Sequence, residues 1–446
     1  MNYFVPLHKM KHILILIACL CPLLLSGQNI LSTLDNMYLV SKGETWESVA
    51  ANCGISVEEL QVANPDVKKK KLKKGTLLII PKKFVPEPVP EVPAEPQPVI
   101  RTSIPDLKVG VLLPTGEKSM VEFYRGFLMA ADSVRRRGVN LDIHAWDCGT
   151  TTAQVEALLP NFGELDVLFA PIPSTLLQPV AEACKERGIR LVLPFWSGLV
   201  LQDSPLVYCA TAPSATLYDA AVKKLMSFYP DKNYVIVHSG NPDHKGKYLT
   251  DALAQALLQR TGTPRTLELE ADDFAYESAF NQFRDNMIVI DDSSVRSLNI
   301  LLSHLKEFRK NHSQYRLSLI GFTDWQDETK MLLDDFFAFD TYIISPYYYN
   351  VLEDKVKNFE RTYTKNFRTT IALHNPRYAA LGFDLGCYFL SGISNLGDTF
   401  EQMQGGIQQF PYQNWYHFER NASGIFVNGF VQFIRFTPES KIELIR

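Results

Sequence analysis

Side chains able to do acid–base or phosphate chemistry are present, but they form no recognised catalytic pattern. The sequence contains no G-x-S-x-G, H-E-x-x-H or G-x-G-x-x-G segment. Gly240–Tyr248 approximates a phosphate-binding loop, but it has one residue too many before Gly-Lys and lacks the following Ser or Thr. Asp291-Asp292 and Asp334-Asp335 are adjacent carboxylates, whereas glycosidases need facing ones. We interpret both pairs as turn or surface residues and predict that the chain is not an enzyme.

The cysteines indicate neither a metal centre nor a disulfide framework. Five of them follow residue 27, without any C-x-x-C spacing: Cys53, Cys148, Cys184, Cys209 and Cys387. An odd number argues against complete pairing. Most should be small buried apolar residues, as the helical stripe of Cys184, Leu177 and Val180 indicates. We therefore expect no metal and no cofactor. The net charge of −4 over 446 residues gives no reason to expect nucleic acid.

Residues 37–83 carry the densest local pattern in the chain. An apolar run at Tyr38 predicts a short strand, and 77–80 predicts a second one that ends at Pro81. Between them, Thr45 is a plausible N-cap for a helix. Ser56, three residues before a glutamate, has the spacing of a capping box for a second helix. The pattern predicts a small β-α-α-β unit.

This segment resembles a LysM module, the βααβ domain that binds N-acetylglucosamine-containing glycans such as peptidoglycan. Here K-G-E-T-W replaces the commoner G-D-T-L form. The resemblance implies a sugar groove between the loop before the first helix and the loop after the second. Carried over to this chain, the groove residues are Gly43, Glu44, Thr45, Trp46, Asn64, Pro65 and Asp66. The alternative is that Gly43 and Thr45 serve only a turn and a cap while Trp46 is a core residue.

The start of the chain indicates export to the periplasm or cell envelope. Lysines followed by the apolar run 13–25 are typical of a secretory signal peptide, which we place at residues 1–27. The run is too short, and too interrupted by Pro22, for a comfortable membrane span. Leu-Ile-Ala before Cys19 also fits a lipobox, so lipidation of Cys19 is an alternative way of attaching the chain to a membrane.

Two composition shifts divide the rest of the chain. Residues 84–105 are rich in proline and should be an extended, semi-rigid spacer. Residues 106–446 alternate predicted strands with helices, which favours an α/β body with a parallel sheet covered on both faces. The alternation restarts after Pro230, so we expect two successive sheets.

The body resembles the type I periplasmic-binding-protein fold of amino-acid receptors. The segments behind this resemblance are D-V-L-F-A-P-I-P-S-T-L-L-Q-P within 166–195 and R-Y-A-A-L-G-F-D-L-G at 377–386. It implies two lobes, with chain crossings near Pro213, Ser345 and Gly397. Lobe one would comprise 106–213 and 346–397, and lobe two 230–344 and 398–446. Apolar runs on both sides of Asn428-Gly429 predict a β-hairpin inside lobe two.

The implied ligand site lies between the lobes, at the carboxyl ends of the strands. Hydroxyls that resemble those holding the carboxylate and amine in the receptors come from lobe one: Thr115, Ser174, Thr175 and Ser197. The candidates from lobe two are His238, Ser239, Asp324 and Trp325. An alternative for Thr175 is that it only caps its helix, in a capping box with Gln178. An α-amino acid would also need an acidic partner for its ammonium group, and the sequence does not assign one.

The leading hypothesis is an exported, non-catalytic protein anchored to peptidoglycan. Its receptor-like body would sense a small amino-acid-like ligand or dock an envelope partner such as a wall-synthesis enzyme. The second hypothesis is an amino-acid-type receptor for uptake, although tethering to the wall would hinder delivery to a permease. The third and weakest is a cell-wall hydrolase.

Overall fold

The computed structural model describes residues 37–40, 42–53, 55–65, 67, 72–79, 106–195, 198, 206–241, 246–260 and 262–446. The predicted signal peptide, the lipidation at Cys19 and the spacer 84–105 lie outside these residues. The chain divides into two compact units, residues 1–97 and residues 98–446, which are described separately.

The first unit is the predicted β-α-α-β module. Strand β1 (Met37–Leu39) pairs antiparallel with β2 (Leu77–Ile79), and helices α1 (Trp46–Asn52) and α2 (Val57–Val62) lie between them in the chain. The capping box at α2 is confirmed, because the Ser56 hydroxyl accepts a hydrogen bond from the amide of Glu59 at 3.1 Å. The module closes on a small apolar core: Val40, Trp46, Val49, Ala50, Leu60 and Leu78.

The second unit, the body, alternates strands and helices over most of its length. Its strands are β3 (Leu107–Leu113), β4 (Leu141–Asp147), β5 (Val167–Phe169), β6 (Arg190–Leu193), β7 (Val207–Cys209), β8 (Asn233–His238), β9 (Arg265–Glu268), β10 (Asn286–Ile290), β11 (Leu317–Gly321), β12 (Thr341–Ser345), β13 (Phe418–Arg420), β14 (Phe426–Asn428), β15 (Gln432–Phe436) and β16 (Ile442–Ile445). Its helices are α3 (Lys118–Arg135), α4 (Thr152–Leu158), α5 (Leu177–Arg187), α6 (Ser214–Phe228), α7 (Lys247–Arg260), α8 (Asp273–Ala279), α9 (Val295–Asn311), α10 (Thr329–Ala338), α11 (Asp354–Phe367), α12 (Tyr378–Leu396) and α13 (Phe400–Met403).

The strands of the body form two sheets, one in each lobe. The first has the order β13-β14-β7-β6-β5-β3-β4, and the second has the order β16-β15-β12-β11-β10-β8-β9. Pairing is parallel from β14 through β4 and from β12 through β9, whereas β13, β15 and β16 pair antiparallel. The predicted α/β body with two mainly parallel sheets is therefore confirmed.

The third chain crossing differs from the prediction. Two crossings lie where expected, after β7 before Pro213 and after β12 at Ser345. The crossing predicted near Gly397 is wrong, because Phe400, Phe418 and Phe426 pack in the core of lobe one. The predicted hairpin is also wrong, because β14 joins the first sheet and β15 the second. Residues 398–428 thus belong with lobe one, and the chain crosses to lobe two just after Asn428.

Close backbone packing joins α3 to α12 on the first sheet. A methyl group added at Gly126 would lie 1.9 Å from the carbonyl oxygen of Ala379, and one at Gly382 would lie 2.1 Å from that of Phe123. Both glycines let the two helices approach more closely than any side chain permits. This contact fixes α12, and with it the segment that follows, on the face of lobe one.

The substitution Gly126→Ala should destabilise the body. Alanine gains about 1 kcal/mol of helix propensity, but the clash with the backbone of Ala379 forces a helix shift that costs about 1–3 kcal/mol or more. We expect a net fall in the unfolding free energy measured by urea titration. Gly116→Ala is the matched control, because nothing lies within 4 Å of a methyl group there. Equal stability of both variants would contradict the close contact between these helices.

Candidate functional site

The loop before α1 presents a tight turn and a capping residue. Gly43 is exposed and has φ +96°, a conformation that favours glycine. The Thr45 hydroxyl accepts from the amide of Ser48 at 3.3 Å, and the Ser48 hydroxyl accepts from the amide of Thr45 at 2.9 Å. Thr45 therefore caps α1 as predicted, while its side chain stays exposed. Glu44 is half-buried. Burial raises the pKa of the Cys53 thiol, and the negative charge of Glu44 raises this pKa further.

Trp46 belongs to the core of the module. Its side chain is only 4% exposed and packs among Val49, Leu60 and Leu78. Its indole nitrogen has no hydrogen-bond partner among the described residues. The alternative that Trp46 is a core residue is thus confirmed, and the indole offers no stacking face to a sugar.

Asn64 ties the end of α2 to strand β2. It is 7% exposed, and its amide nitrogen donates to the carbonyl oxygens of Leu60 and Ile79, each at 2.8 Å. Its amide oxygen accepts from the backbone of Ile79 at 2.7 Å. Pro65 beside it is exposed, and Asp66 lies outside the described residues. The Asn64 amide thus holds α2 and β2 together under the predicted groove residues and is not presented to solvent.

Two apolar side chains near Asn64 were missed by the sequence analysis. Val62 is 81% exposed at the end of α2, and Ile79 is 53% exposed at the end of β2. The side chain of Ile79 follows strand alternation, since Leu78 before it is buried. Alternation in such a short strand could have identified Ile79. Exposed apolar groups beside polar loops are suited to the mixed surface of a sugar ring.

In lobe one, the predicted cleft residue Thr115 is already hydrogen-bonded within its own lobe. It follows β3, and its hydroxyl donates to the Asp147 carboxylate at the end of β4. The Thr115 amide also donates to that carboxylate at 3.3 Å. The hydroxyl bond holds the pKa of Asp147 below its usual value, with a further contribution from the amide of Gly149. Thr115 thus links the carboxyl ends of two neighbouring parallel strands.

Ser174 and Thr175 lie exposed in the single 3₁₀ turn Ser174–Leu176, just before α5. The predicted capping box at Thr175 is wrong, because α5 is capped at Leu176 without a side-chain bond. Gln178 instead donates to the Glu182 carboxylate at 2.6 Å. Both hydroxyls therefore remain available to solvent, whereas Ser197 lies outside the described residues.

In lobe two, two buried carboxylates organise the loop that carries His238 and Ser239. The His238 Nδ1 lies 3.0 Å from an Asp291 oxygen, and the Ser239 amide donates to the other oxygen of that carboxylate at 2.8 Å. Burial raises the pKa of Asp292, but hydrogen bonds from Ser294 and its neighbours outweigh it and hold this pKa below the usual value. Of the two alternatives predicted for this acidic pair, the surface position is wrong, because both residues are buried in the turn that follows β10.

Asp324 and Trp325 occupy the 3₁₀ helix Thr323–Glu328 after β11, but only one of them faces solvent. Asp324 is exposed. Trp325 is 1% exposed, and its indole nitrogen donates to the carbonyl oxygen of Ser293 at 3.0 Å. The prediction of Trp325 as a cleft residue is therefore wrong, because the indole fills the core of lobe two.

A direct contact joins the lobes beside these residues. The Asn375 amide, from the loop before α12, donates to the Asp327 carboxylate at 2.8 Å. That loop is anchored to lobe one, because Glu122 of α3 accepts from the amide of Ala372 at 2.9 Å. The contact therefore spans the cleft between the lobes.

The described residues contain neither a cluster suited to a metal ion nor a helix suited to a membrane. Within them, no group of three or more His, Cys, Asp or Glu side chains is arranged to hold a metal ion. None of the helices in this described part is both long and apolar enough to span a bilayer.

Comparison with known families bears on the small module. Residues 38–81 match the family model described as LysM domain. These residues are a LysM domain. The match covers the two strands, both helices and both candidate glycan loops. The sequence resemblance is thereby confirmed. A comparison of the chain with curated proteins found no match.

Comparison with solved structures bears on the body. A putative branched-chain amino acid ABC transporter structure from Rhodospirillum rubrum is 13% identical, with a TM-score of 0.55, and covers 76% of this chain and 100% of its own. The LpoA (YraM) C-domain from Haemophilus influenzae, a regulator of PBP1A, is 12% identical, with a TM-score of 0.50 and the same coverage. The body has the type I periplasmic-binding-protein fold. At these identities the likeness concerns the fold alone.

The substitution Asn64→Ala should unfold the LysM domain locally. It removes one buried and two part-buried hydrogen bonds and leaves the backbone groups of Ile79 without these partners. A fully buried group left unpaired costs about 1–3 kcal/mol, and a part-buried group costs less. We expect faster amide exchange across α2 and β2 in hydrogen-exchange mass spectrometry. Asn52→Ala, at an exposed helix end, is the control and should leave exchange unchanged. Unaltered protection in Asn64→Ala would contradict the bridging role.

Proposed function

We propose that this chain is an exported, non-catalytic cell-envelope protein that binds peptidoglycan through residues 38–81. Its two-lobed body docks an envelope protein such as a wall-synthesis enzyme. The observation that carries this proposal is the union, in one chain, of a LysM domain and a body with a binding-protein fold. The first element supplies a location, and the second supplies a large surface that can engage a partner.

The surface of the LysM domain supports the glycan part of the proposal. The exposed backbone at Gly43 and the exposed ring of Pro65 are available to a sugar, and the capping residue Thr45 is exposed beside Gly43. The exposed lysines Lys42, Lys73 and Lys74 add positive charge suited to an anionic wall polymer.

The predicted cleft residues that are already engaged or buried support docking of a partner over capture of an amino acid. Thr115 and His238 are each engaged by a carboxylate of their own lobe, and Trp325 is buried. Rearranging them for a ligand would break these contacts. The Haemophilus structure, with the same fold, belongs to a protein described as a regulator of PBP1A. A docking role for the same fold in this chain is consistent with that description.

A small amino-acid-like ligand is the second candidate. Exposed hydroxyls at Ser174 and Thr175 on one lobe and the exposed carboxylate of Asp324 on the other are suited to a carboxylate and an ammonium group, respectively. The Rhodospirillum structure is described as a putative branched-chain amino acid ABC transporter. These three side chains are the groups through which such a ligand would act.

Peptidoglycan binding is tested by co-sedimentation with purified sacculi. We expect the intact chain to pellet with sacculi and the variant lacking residues 37–83 to remain in the supernatant, because the LysM domain carries the glycan contacts. Circular dichroism of the shortened variant controls for folding of the body. Equal sedimentation of both proteins would show that the wall contact lies elsewhere.

The choice between docking and ligand capture is tested by thermal unfolding with a panel of free amino acids and muropeptides. Docking predicts an unchanged melting temperature for the body, since nothing on the panel binds the native body preferentially. A ligand present at about 100 times its Kd would stabilise the body by about 2.7 kcal/mol. A rise that disappears in Asp324→Asn would replace the docking proposal with the receptor function.

A further inference from the structure

A cavity of about 260 Å³ lies on lobe one, away from the inter-lobe cleft. It is bounded by the carboxyl end of α3, one face of α12 and the segment 407–416. Since β3 leads to the cleft and α3 returns from it, the end of α3 lies at the opposite pole of the lobe. The α12 face is formed by Phe383, Cys387 and Ser391, spaced four residues apart. The cavity therefore belongs to none of the sites described above.

A buried carboxylate holds the wall of this cavity in place. Asp384 on α12 accepts hydrogen bonds from the amides of Tyr412, Gln413 and Asn414, each at 2.8 Å. Burial raises its pKa to about 7 despite these bonds. Three bonds to consecutive amides fix the segment to the helix, so the cavity is a built feature of the fold.

Two hydroxyl groups in the lining have no partner. The hydroxyl oxygens of Ser391 and Tyr416 are buried without a hydrogen bond among the described residues. The whole side chain of Tyr416 is only 4% exposed. Burying an unpaired polar group is unfavourable, and such groups are uncommon in folded proteins. Both hydroxyls line the same cavity, so a single occupant can satisfy both.

An unpaired cation lies at the same cavity. Arg137 follows α3, is exposed and lines the cavity beside Cys387. Its neighbours are engaged, since Arg136 pairs with Asp132 and Arg135 donates to the Leu141 carbonyl oxygen. No hydrogen bond or ion pair occupies the Arg137 side chain within the described part of the chain. A guanidinium with free donors is suited to a planar anion.

The remaining lining favours a flat apolar body. Phe383 and Tyr412 lie with ring centroids 5.0 Å apart, and Ile407 adds an aliphatic contact. Aromatic walls of this kind hold planar groups by stacking and edge contacts. A single guanidinium matches one negative charge better than the two of a phosphate.

We propose that this cavity binds a small monocarboxylate with a planar apolar body. The carboxylate pairs with Arg137, and the hydroxyls of Ser391 and Tyr416 bond to polar groups at the buried end. At ordinary packing density the volume accommodates roughly ten to twelve non-hydrogen atoms. This site is separate from the cleft and from the glycan groove, so it adds an effector site to the proposed function.

Isothermal titration calorimetry of the intact chain tests this site. The probes are benzoate, 4-hydroxybenzoate and indole-3-carboxylate, with benzamide as the uncharged counterpart. We expect saturable binding of at least one carboxylate and at least about tenfold weaker binding of benzamide, because the amide cannot form a charge-assisted bond. If none of the three carboxylates gives saturable heat, the cavity holds only water and the proposal is overturned.

Variants assign the binding to this cavity. Arg137→Gln should weaken carboxylate binding about 10- to 100-fold, and Tyr416→Phe about fivefold. Arg296→Gln, the same change at an exposed arginine on lobe two, is the matched control and should bind normally. Ser391→Leu should fill the cavity and abolish binding. Since Arg137 is exposed, its variant should fold even if Ser391→Leu does not. Carboxylate binding unchanged in Arg137→Gln would contradict the site.

Discussion

The side chain of Asn428 makes the contacts on which the two-lobed body depends. Its amide nitrogen donates to the carbonyl oxygens of Ala210 at 3.1 Å and Trp415 at 3.0 Å. Its amide oxygen accepts from the amides of His417 and Phe430 at 2.8 and 3.1 Å. Asn428 is fully engaged and buried where the chain leaves lobe one for the last time. It therefore joins the first and third crossings into one unit.

Ser345 plays the corresponding part at the second crossing. Its buried hydroxyl donates to the carbonyl oxygen of Tyr347 at 2.7 Å and accepts from the Gln326 amide at 2.9 Å. The Asn375–Asp327 contact then joins the two lobes directly. Thr115 and His238 are likewise engaged by carboxylates of their own lobes, which supports our proposal that the body docks a partner.

The features that the sequence predicted best are those fixed by residues close to one another along the chain. The LysM domain could be predicted because Thr45 and Ser56 act through residues three positions away. The body's sheets could be predicted from the alternation of apolar strands and amphipathic helices. The last crossing could not, because Asn428-Gly429 carries the local signal of a hairpin. Its true role follows from the pairing of β14 with β7, more than 200 residues away.

Long-range packing also explains the errors in the cleft. Trp325 and Asp324 are neighbours in one 3₁₀ turn, and nothing local distinguishes the buried side chain from the exposed one. Gly321 makes room for the indole, since a methyl group there would lie 2.1 Å from the Trp325 ring. Likewise, Thr115 is drawn to Asp147 by strand pairing, and Asp291 is covered by the loop after β8. Each of these contacts depends on the assembled sheet.

A body that docks a partner, as we propose, presents a preformed surface and does not close on a small ligand. Electron–electron double resonance between spin labels at Glu186→Cys on lobe one and Asp251→Cys on lobe two tests it directly. Native Cys53 and Cys387, which are partly exposed, would be replaced by serine. If the body docks a partner, we expect the same inter-lobe distance distribution with and without saturating free amino acids. A shift to shorter distances on adding an amino acid would show ligand-driven closure and contradict it.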